Sequence, residues 1–241
     1  MLQLSKLKKM GSLIIRFVGV KEKREIKKLS SREDYVRIQL DAEKEIIVDV
    51  SEWVGEEKEW EYWSEYVKDY MYRGCKWLEI GCNTGYVIRF IDSKYNSIGH
   101  GIDINSNLIN IGKRQCGTET LIQGDMHDLP YNDEFFDFLW AKDVLEHSYD
   151  PDLLLSECHR VLKKGSYMFA FLPLDGKEEE TIGEIYGNEA HTWKTTSDVC
   201  KERFENAGFE IIRFSETTFS ELRGEYRHLG DNCLSLIVLK Y

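Results

Sequence analysis

The chain has 241 residues, 42% apolar and 31% charged, with three prolines and a formal net charge of −11. That length suits one α/β domain with a smaller appendage, and a core of this size buries most of its surface. No run approaches the ~18 uninterrupted apolar residues that a membrane helix requires. The basic start has no long apolar stretch of the kind a secretion signal carries, so the expected setting is cytoplasmic, without a membrane partner.

Charge is unevenly spread: residues 1–28 balance at +7 and the remainder at −18. So acidic a body repels a phosphate backbone and argues against a nucleic-acid groove. The six cysteines are scattered without a Cys-x-x-Cys pair. They read as buried free thiols rather than a disulfide framework or zinc knuckle.

In chain order, residues 12–20 and 46–50 read as short strands. Trp60, Trp63, Val67, Tyr70 and Met71 then recur at helical spacing between charges. They predict an amphipathic helix over 56–73, stopped by Gly74. Residues 1–74 are therefore expected to form an appendage, placed to act as a lid over whatever follows.

From residue 75 to 241 strands and helices alternate. Strands are predicted at 76–80, 97–102, 119–122, 135–140, 166–172, 209–214 and 233–239, and helices at 86–94, 105–115, 151–163 and 197–207. Asp150-Pro151 supplies an N-cap and a first-turn proline, and Lys163-Lys164-Gly165 a cationic end and a stop. Ser197 and Gly208 bracket the last helix. Such alternation builds a Rossmann-like, mostly parallel sheet with helices on both faces and ligands at the carboxyl ends of the strands. Residues 175–196 are long and polar for a simple connection, and predict a lid or binding loop. Tyr186, His191 and Trp193 are its candidate contacts.

The sharpest segment is Leu78-Glu79-Ile80-Gly81-Cys82-Asn83-Thr84-Gly85, where the first strong strand gives way to a helix. Gly81 and Gly85 permit a tight turn and close approach to a ligand, and Asn83 tolerates positive φ better than most residues. The next strand ends in Gly101-Ile102-Asp103, the place for an acid that grips a ribose.

These residues resemble the class I S-adenosylmethionine (SAM)-dependent methyltransferases, in particular the small-molecule group. The family's acid-and-glycine motif reads here as Glu79-x-Gly81-x-Asn83-x-Gly85, with asparagine at the middle glycine. Residues 124–130, 135–147 and 153–173 resemble the family's segments after the third strand, around the fourth, and through the fifth. The resemblance covers residues 76–241 and implies a seven-stranded sheet whose last strand is antiparallel. It also implies that SAM is the cofactor and S-adenosylhomocysteine (SAH) the product. Under it Glu79 lies near the methionine amino group, and Gly81, Cys82, Asn83 and Gly85 pass beneath the ligand. Asp103, with Ile104 beside it, takes the ribose hydroxyls; Asp125 and Met126 meet the adenine; Ala141 and Lys142 line the methionine end.

A dehydrogenase also places an acid like Asp103 on a ribose, so an NAD(P)-dependent oxidoreductase is the nearest competitor, although its loop reads G-x-G-x-x-G. A SAM-binding regulatory protein without catalysis is a third reading. Methyl transfer to a hydroxyl gains from a base, and histidine serves near pH 7. His147 is the first candidate and His191 the second. No His-x-x-x-His or His-x-His pair is present, so no catalytic metal is expected. The Asp/Asn-Pro-Pro-aromatic signature of base amino methylation and a Pro-Cys nucleophile are both missing. With the acidic body, this favours a small-molecule acceptor methylated at O or N. The sequence leaves its identity and the oligomeric state open.

Overall fold

The computed structural model describes residues 32–33, 35–37, 57–117, 119–174, 181–186, 191–218 and 232–241. The strands expected at 12–20 and 46–50 lie outside the described residues. In chain order, α1 (Glu57–Val67) leads to β1 (Lys76–Ile80), α2 (Tyr86–Tyr95), β2 (Ile98–Asp103), α3 (Ser106–Ile111) and β3 (Leu121–Gln123). Then follow β4 (Phe136–Lys142), α4 (Pro151–Val161), β5 (Leu162–Pro173), β6 (Thr181–Tyr186) and β7 (His191–Lys194). The chain continues through α5 (Ser197–Asn206), β8 (Phe209–Thr218) and β9 (Asn232–Lys240).

Seven strands form one sheet in the order β3-β2-β1-β4-β5-β9-β8. The first five are mutually parallel, and β9 inserts antiparallel between β5 and β8. Six strands therefore share one direction, as expected, and the last strand opposes them. Strand order reverses between β1 and β4, so their carboxyl ends flank the crevice where such sheets bind ligands.

The central strands are buried on both faces, which explains their nearly unbroken apolar runs. Alternate side chains enter two cores. Leu139, Ala141, Met168 and Ala170 meet α4 and α5 on one side, and Phe138, Trp140, Phe169 and Phe171 meet α1 and α2 on the other. The aromatic stripe of α1 is core: the Trp63 ring lies 5.3 Å from Phe169 and 4.8 Å from Phe171.

Three helix ends and one connection depart most from expectation. The first helix stops at Val67 rather than near residue 73, because the chain must turn to deliver Cys75 to β1, where its carbonyl accepts from the Ile98 N–H (2.8 Å). The third helix tightens its register only to Ile111 and continues as a wider π-turn over Gly112–Cys116. Helix α4 ends at Val161, and Lys163 and Lys164 already lie in β5. Strand pairing of Leu162 with Phe136 and the Lys163–Asp137 ion pair (2.6 Å) outweigh a cationic helix end. Residues 175–196 contain a second, two-stranded antiparallel sheet of β6 and β7. Polar composition hid it, since the buried Trp193 anchors β7 in the main core while charged residues dominate the preceding segment.

Candidate functional site

The loop after β1 is built to bring backbone close to a ligand. Gly81 (φ +71°), Asn83 (φ +51°) and Gly85 (φ +75°) all take left-handed conformations, so asparagine does occupy the region a glycine would. A Cβ on Gly81 would stand 2.6 Å from Val144 Cγ2. The N–H groups of Gly81 and Cys82 both donate to the Ile102 carbonyl (2.9 and 3.0 Å). Asp103 completes the tie: Oδ2 accepts from the Asn83 N–H (2.8 Å) and Oδ1 from the Asn105 N–H (2.9 Å). Burial raises the Asp103 carboxyl, and these backbone donors oppose it. Ile104 beside it is partly buried against the main core. The Cys82 thiol is pushed well up by burial and packs on the β2 backbone, which suits a structural cysteine.

Glu79 sits at the same end of β1, buried, and its Oε2 has no hydrogen-bond partner among the described residues. Burial lifts its carboxyl well above the usual range, Lys142 opposes this and Asp103 adds to it. A carboxylate left this way is matched to a cationic ligand group.

After β3, Asp125 is already engaged. Its Oδ1 accepts from the His127 N–H (2.9 Å) and from His127 Nδ1 (2.7 Å), and its Oδ2 accepts from Arg32 Nε (2.8 Å). His127 Nε2 in turn meets Ser148 Oγ at 2.8 Å. Asp, His and Ser stand in the order of a hydrolase triad, but Ser148 is fully buried and its Oγ accepts from the Asp150 N–H (3.2 Å). The relay braces the loops after β3 and β4 against each other. Tyr35 and Tyr149 pack on the His127 ring at 5.6 and 4.0 Å, and Met126 is buried in the main core.

Burial alone would raise the Asp125 carboxyl, but the bonds from His127 and Arg32 outweigh it and hold it at about 2 against an ordinary 3.8. A value lowered on folding stabilises above the unfolded value and is lost as pH falls through the folded one. Asp125→Asn is therefore expected to lose about 2 kcal/mol at pH 7, a deficit that shrinks between pH 4 and pH 2. Urea unfolding across that range measures it, and a deficit independent of pH would contradict the assignment.

At the carboxyl end of β4, Ala141 is buried and Lys142 Nζ donates to Asp143 Oδ2 (2.5 Å). The next turn, Leu145–His147, presents Glu146 and His147. The fold brings His191 to them from β7, with the two imidazoles edge to face at 5.0 Å. His191 is buried rather than on a surface loop. One ligand atom each from Glu146, His147 and His191 falls within 4.8 Å of the others. Sequence reasoning named both histidines but set Glu146 aside, since an adjacent Glu-His pair is common and its meeting with His191 depends on β7. Arg32 was missed because Asp125 reaches it from a distant segment, and the role of His127 because Ser148 does. Trp193 is 1% exposed and belongs to the core, while the Tyr186 side chain lies outside the described residues.

A model of the methyltransferase domain family matches residues 78–170, covering the loop after β1, Asp103, Asp125 and the turn bearing His147. The chain is 31% identical over 152 residues to an uncharacterized protein of Methanocaldococcus jannaschii, covering 60% of this chain and 69% of that one. The chain belongs to the class I SAM-dependent methyltransferases. This sets aside the NAD(P)-dependent oxidoreductase. The methyltransferase is also 29% identical over 119 residues to the demethylmenaquinone methyltransferase of Thermotoga maritima, covering 49% of this chain and 52% of that one. The chain thus spans about half the length of that relative. A solved SAM-dependent methyltransferase from Methanosarcina mazei shares the fold, with a TM-score of 0.61 at 19% identity over 73% of this chain and 96% of that one. The cofactor is SAM, and the residues of this methyltransferase fit it. Buried Glu79 Oε2 and Asn83 Oδ1 lack protein partners among the described residues, and the Gly81 backbone lies where a side chain would collide with Val144. Among the described residues no helix is long and apolar enough to cross a membrane.

Proposed function

We propose that this methyltransferase modifies a small-molecule acceptor at oxygen or nitrogen, held against a wall made by Glu146, His147 and His191. The observation that carries the reading is the meeting of that wall with the donor loop. Val144, two residues before Glu146, packs where a Cβ on Gly81 would sit. The acceptor end and the donor end are therefore contiguous. A relative named for demethylmenaquinone supports a small-molecule acceptor, as does the acidic body.

Bound SAM supplies an electrophilic methyl on a sulfonium. In this reading Glu79 receives the methionine ammonium, and Gly81, Cys82, Asn83 and Gly85 offer backbone beneath it. Asp103 holds the ribose through lone pairs that the Asn83 and Asn105 N–H groups leave free, with Ile104 packing beside it. Asp125 and Met126 face the adenine, and Ala141 and Lys142 close the methionine end. The protein's main contribution is alignment, which supplies roughly 7–11 kcal/mol in favourable systems. Arg32 and Tyr35, from the expected appendage of residues 1–74, cover the adenine end, a role supported by the Arg32–Asp125 bond and by Tyr35 on His127.

Differential thermal unfolding tests this. SAH at a hundred times its Kd is expected to stabilise by about 2.7 kcal/mol, roughly 5–10 °C for a chain of this size. NAD(H) and NADP(H) should leave the midpoint unchanged. Glu79→Ala should weaken SAH about 10- to 100-fold by calorimetry, the value of one charged hydrogen bond. No response to SAM or SAH would overturn the reading. Binding without turnover across hydroxyl and amine acceptors would instead mark a regulatory SAM-binding protein.

A further inference from the structure

Two imidazoles and a carboxylate converge at the carboxyl end of β4, and the proposed methyl transfer does not by itself explain why the carboxylate is there. Glu146 is only 2% exposed, and its Oε2 has no hydrogen-bond partner among the described residues. Leaving a buried carboxylate oxygen so placed costs free energy unless a ligand satisfies it. Asp143, His191 and Lys142 are the charged or titratable groups that face it.

We propose that Glu146, His147 and His191 form a binding site for a first-row divalent cation of the zinc class. The site holds oxygen donors of the methyl acceptor beside the donor loop. The donor set selects the ion: two imidazole nitrogens and one carboxylate suit Zn²⁺, Co²⁺ or Mn²⁺, whereas Mg²⁺ and Ca²⁺ prefer all-oxygen shells. Two histidines and a glutamate are also a set that leaves coordination positions open for water or substrate. A tetrahedral centre with bonds of ~2.1 Å separates its ligands by roughly 3.4 Å. The present spacing, within 4.8 Å, therefore needs side-chain closure of at most about 1.4 Å.

The supports are firm. Glu146 and His147 share one turn pinned by the His147 N–H to Val144 carbonyl bond (3.1 Å) and the Ser148 N–H to Leu145 carbonyl bond (2.9 Å). His191 sits on β7, paired in register with Tyr186. The expectation of no metal rested on local histidine spacing, which cannot register an assembly from two distant segments.

The role for the acceptor rests on the methyltransferase reading; the cation site stands on its own residues. A divalent ion lowers the pKa of an oxygen bound to it. An acceptor hydroxyl on the cation therefore loses its proton to solvent water, and the histidines act as ligands rather than as the base. The open positions favour a chelating acceptor, one with a second oxygen donor on the neighbouring carbon.

The test uses full-length, tag-free protein stripped with chelator and titrated with ZnCl₂ by calorimetry, and with CoCl₂ followed by visible absorption. SAH binding is measured on the same samples. One equivalent of Zn²⁺ should bind, and Co²⁺ should give a ligand-field band. Glu146→Gln and His191→Gln should each weaken Zn²⁺ at least about 10-fold and remove the band. Retained SAH binding in both variants would establish that they fold. Protein that binds SAH but takes up neither ion at millimolar concentration would overturn the proposal and leave the methyltransferase reading intact. Equal uptake by wild type and variants would likewise overturn it. Cation uptake by protein that ignores SAH would uphold the site and overturn the cofactor reading instead.

Discussion

Gly81→Ala is expected to destabilise the fold by about 2–5 kcal/mol and to abolish SAH binding. Two effects add. A left-handed residue with a side chain costs roughly 1–2 kcal/mol, and φ at Gly81 is +71°. The new Cβ would also stand 2.6 Å from Val144 Cγ2 and 2.9 Å from Val144 Cβ. Val144 cannot simply rotate away, because its Cβ is itself too close. Overpacking of this kind costs about 1–3 kcal/mol. The shift is transmitted to function, because moving Val144 displaces the turn that carries Glu146 and His147, and moving Gly81 displaces the donor loop. Gly74→Ala is the matched control: φ is +79°, yet nothing lies within 4 Å of its would-be Cβ. It should lose only about 1–2 kcal/mol and keep SAH affinity. Chemical denaturation and SAH calorimetry on both variants decide the matter. Equal losses at the two positions would show that the Val144 contact carries no weight.

The parts of this molecule legible in the sequence are those whose physics is local. The loop after β1 could be read because its glycines and asparagine sit where left-handed backbone is obligatory. Asp103 could be read because its place at the tip of the strand beside that loop is itself a local feature. The sheet followed from apolar runs punctuated at helix ends. What escaped detection depends on partners distant in sequence. Lys163 and Lys164 look like a helix terminus until β4 offers Asp137 and a pairing edge. His191 and Trp193 look like loop residues until β7 is buried against the core. Asp125 could be placed at the adenine only by resemblance, and the Arg32 bond that engages it comes from a segment 93 residues away. Glu146 is the extreme case, an ordinary glutamate in sequence and a buried one in space.

That burial leads to the second large effect. In chelator, Glu146→Met should be more stable than wild type by about 1–3 kcal/mol, the usual penalty of an unsatisfied buried polar group. The side chains are similar in length, and methionine adapts to irregular gaps, so the exchange removes the penalty without opening a cavity. Turnover, once an acceptor is known, should fall by at least about 100-fold, because the acceptor wall loses its only carboxylate on that turn. Saturating Zn²⁺ should then reverse the order of stability. At a hundred times its Kd the ion adds about 2.7 kcal/mol to wild type and little to a variant that lacks one of three ligands. Thermal unfolding of both proteins, with chelator and with Zn²⁺, reads this crossing directly. A variant less stable than wild type in chelator would mean that the free protein already compensates the Glu146 carboxylate, and the physical reason for placing a cation beside it would be gone.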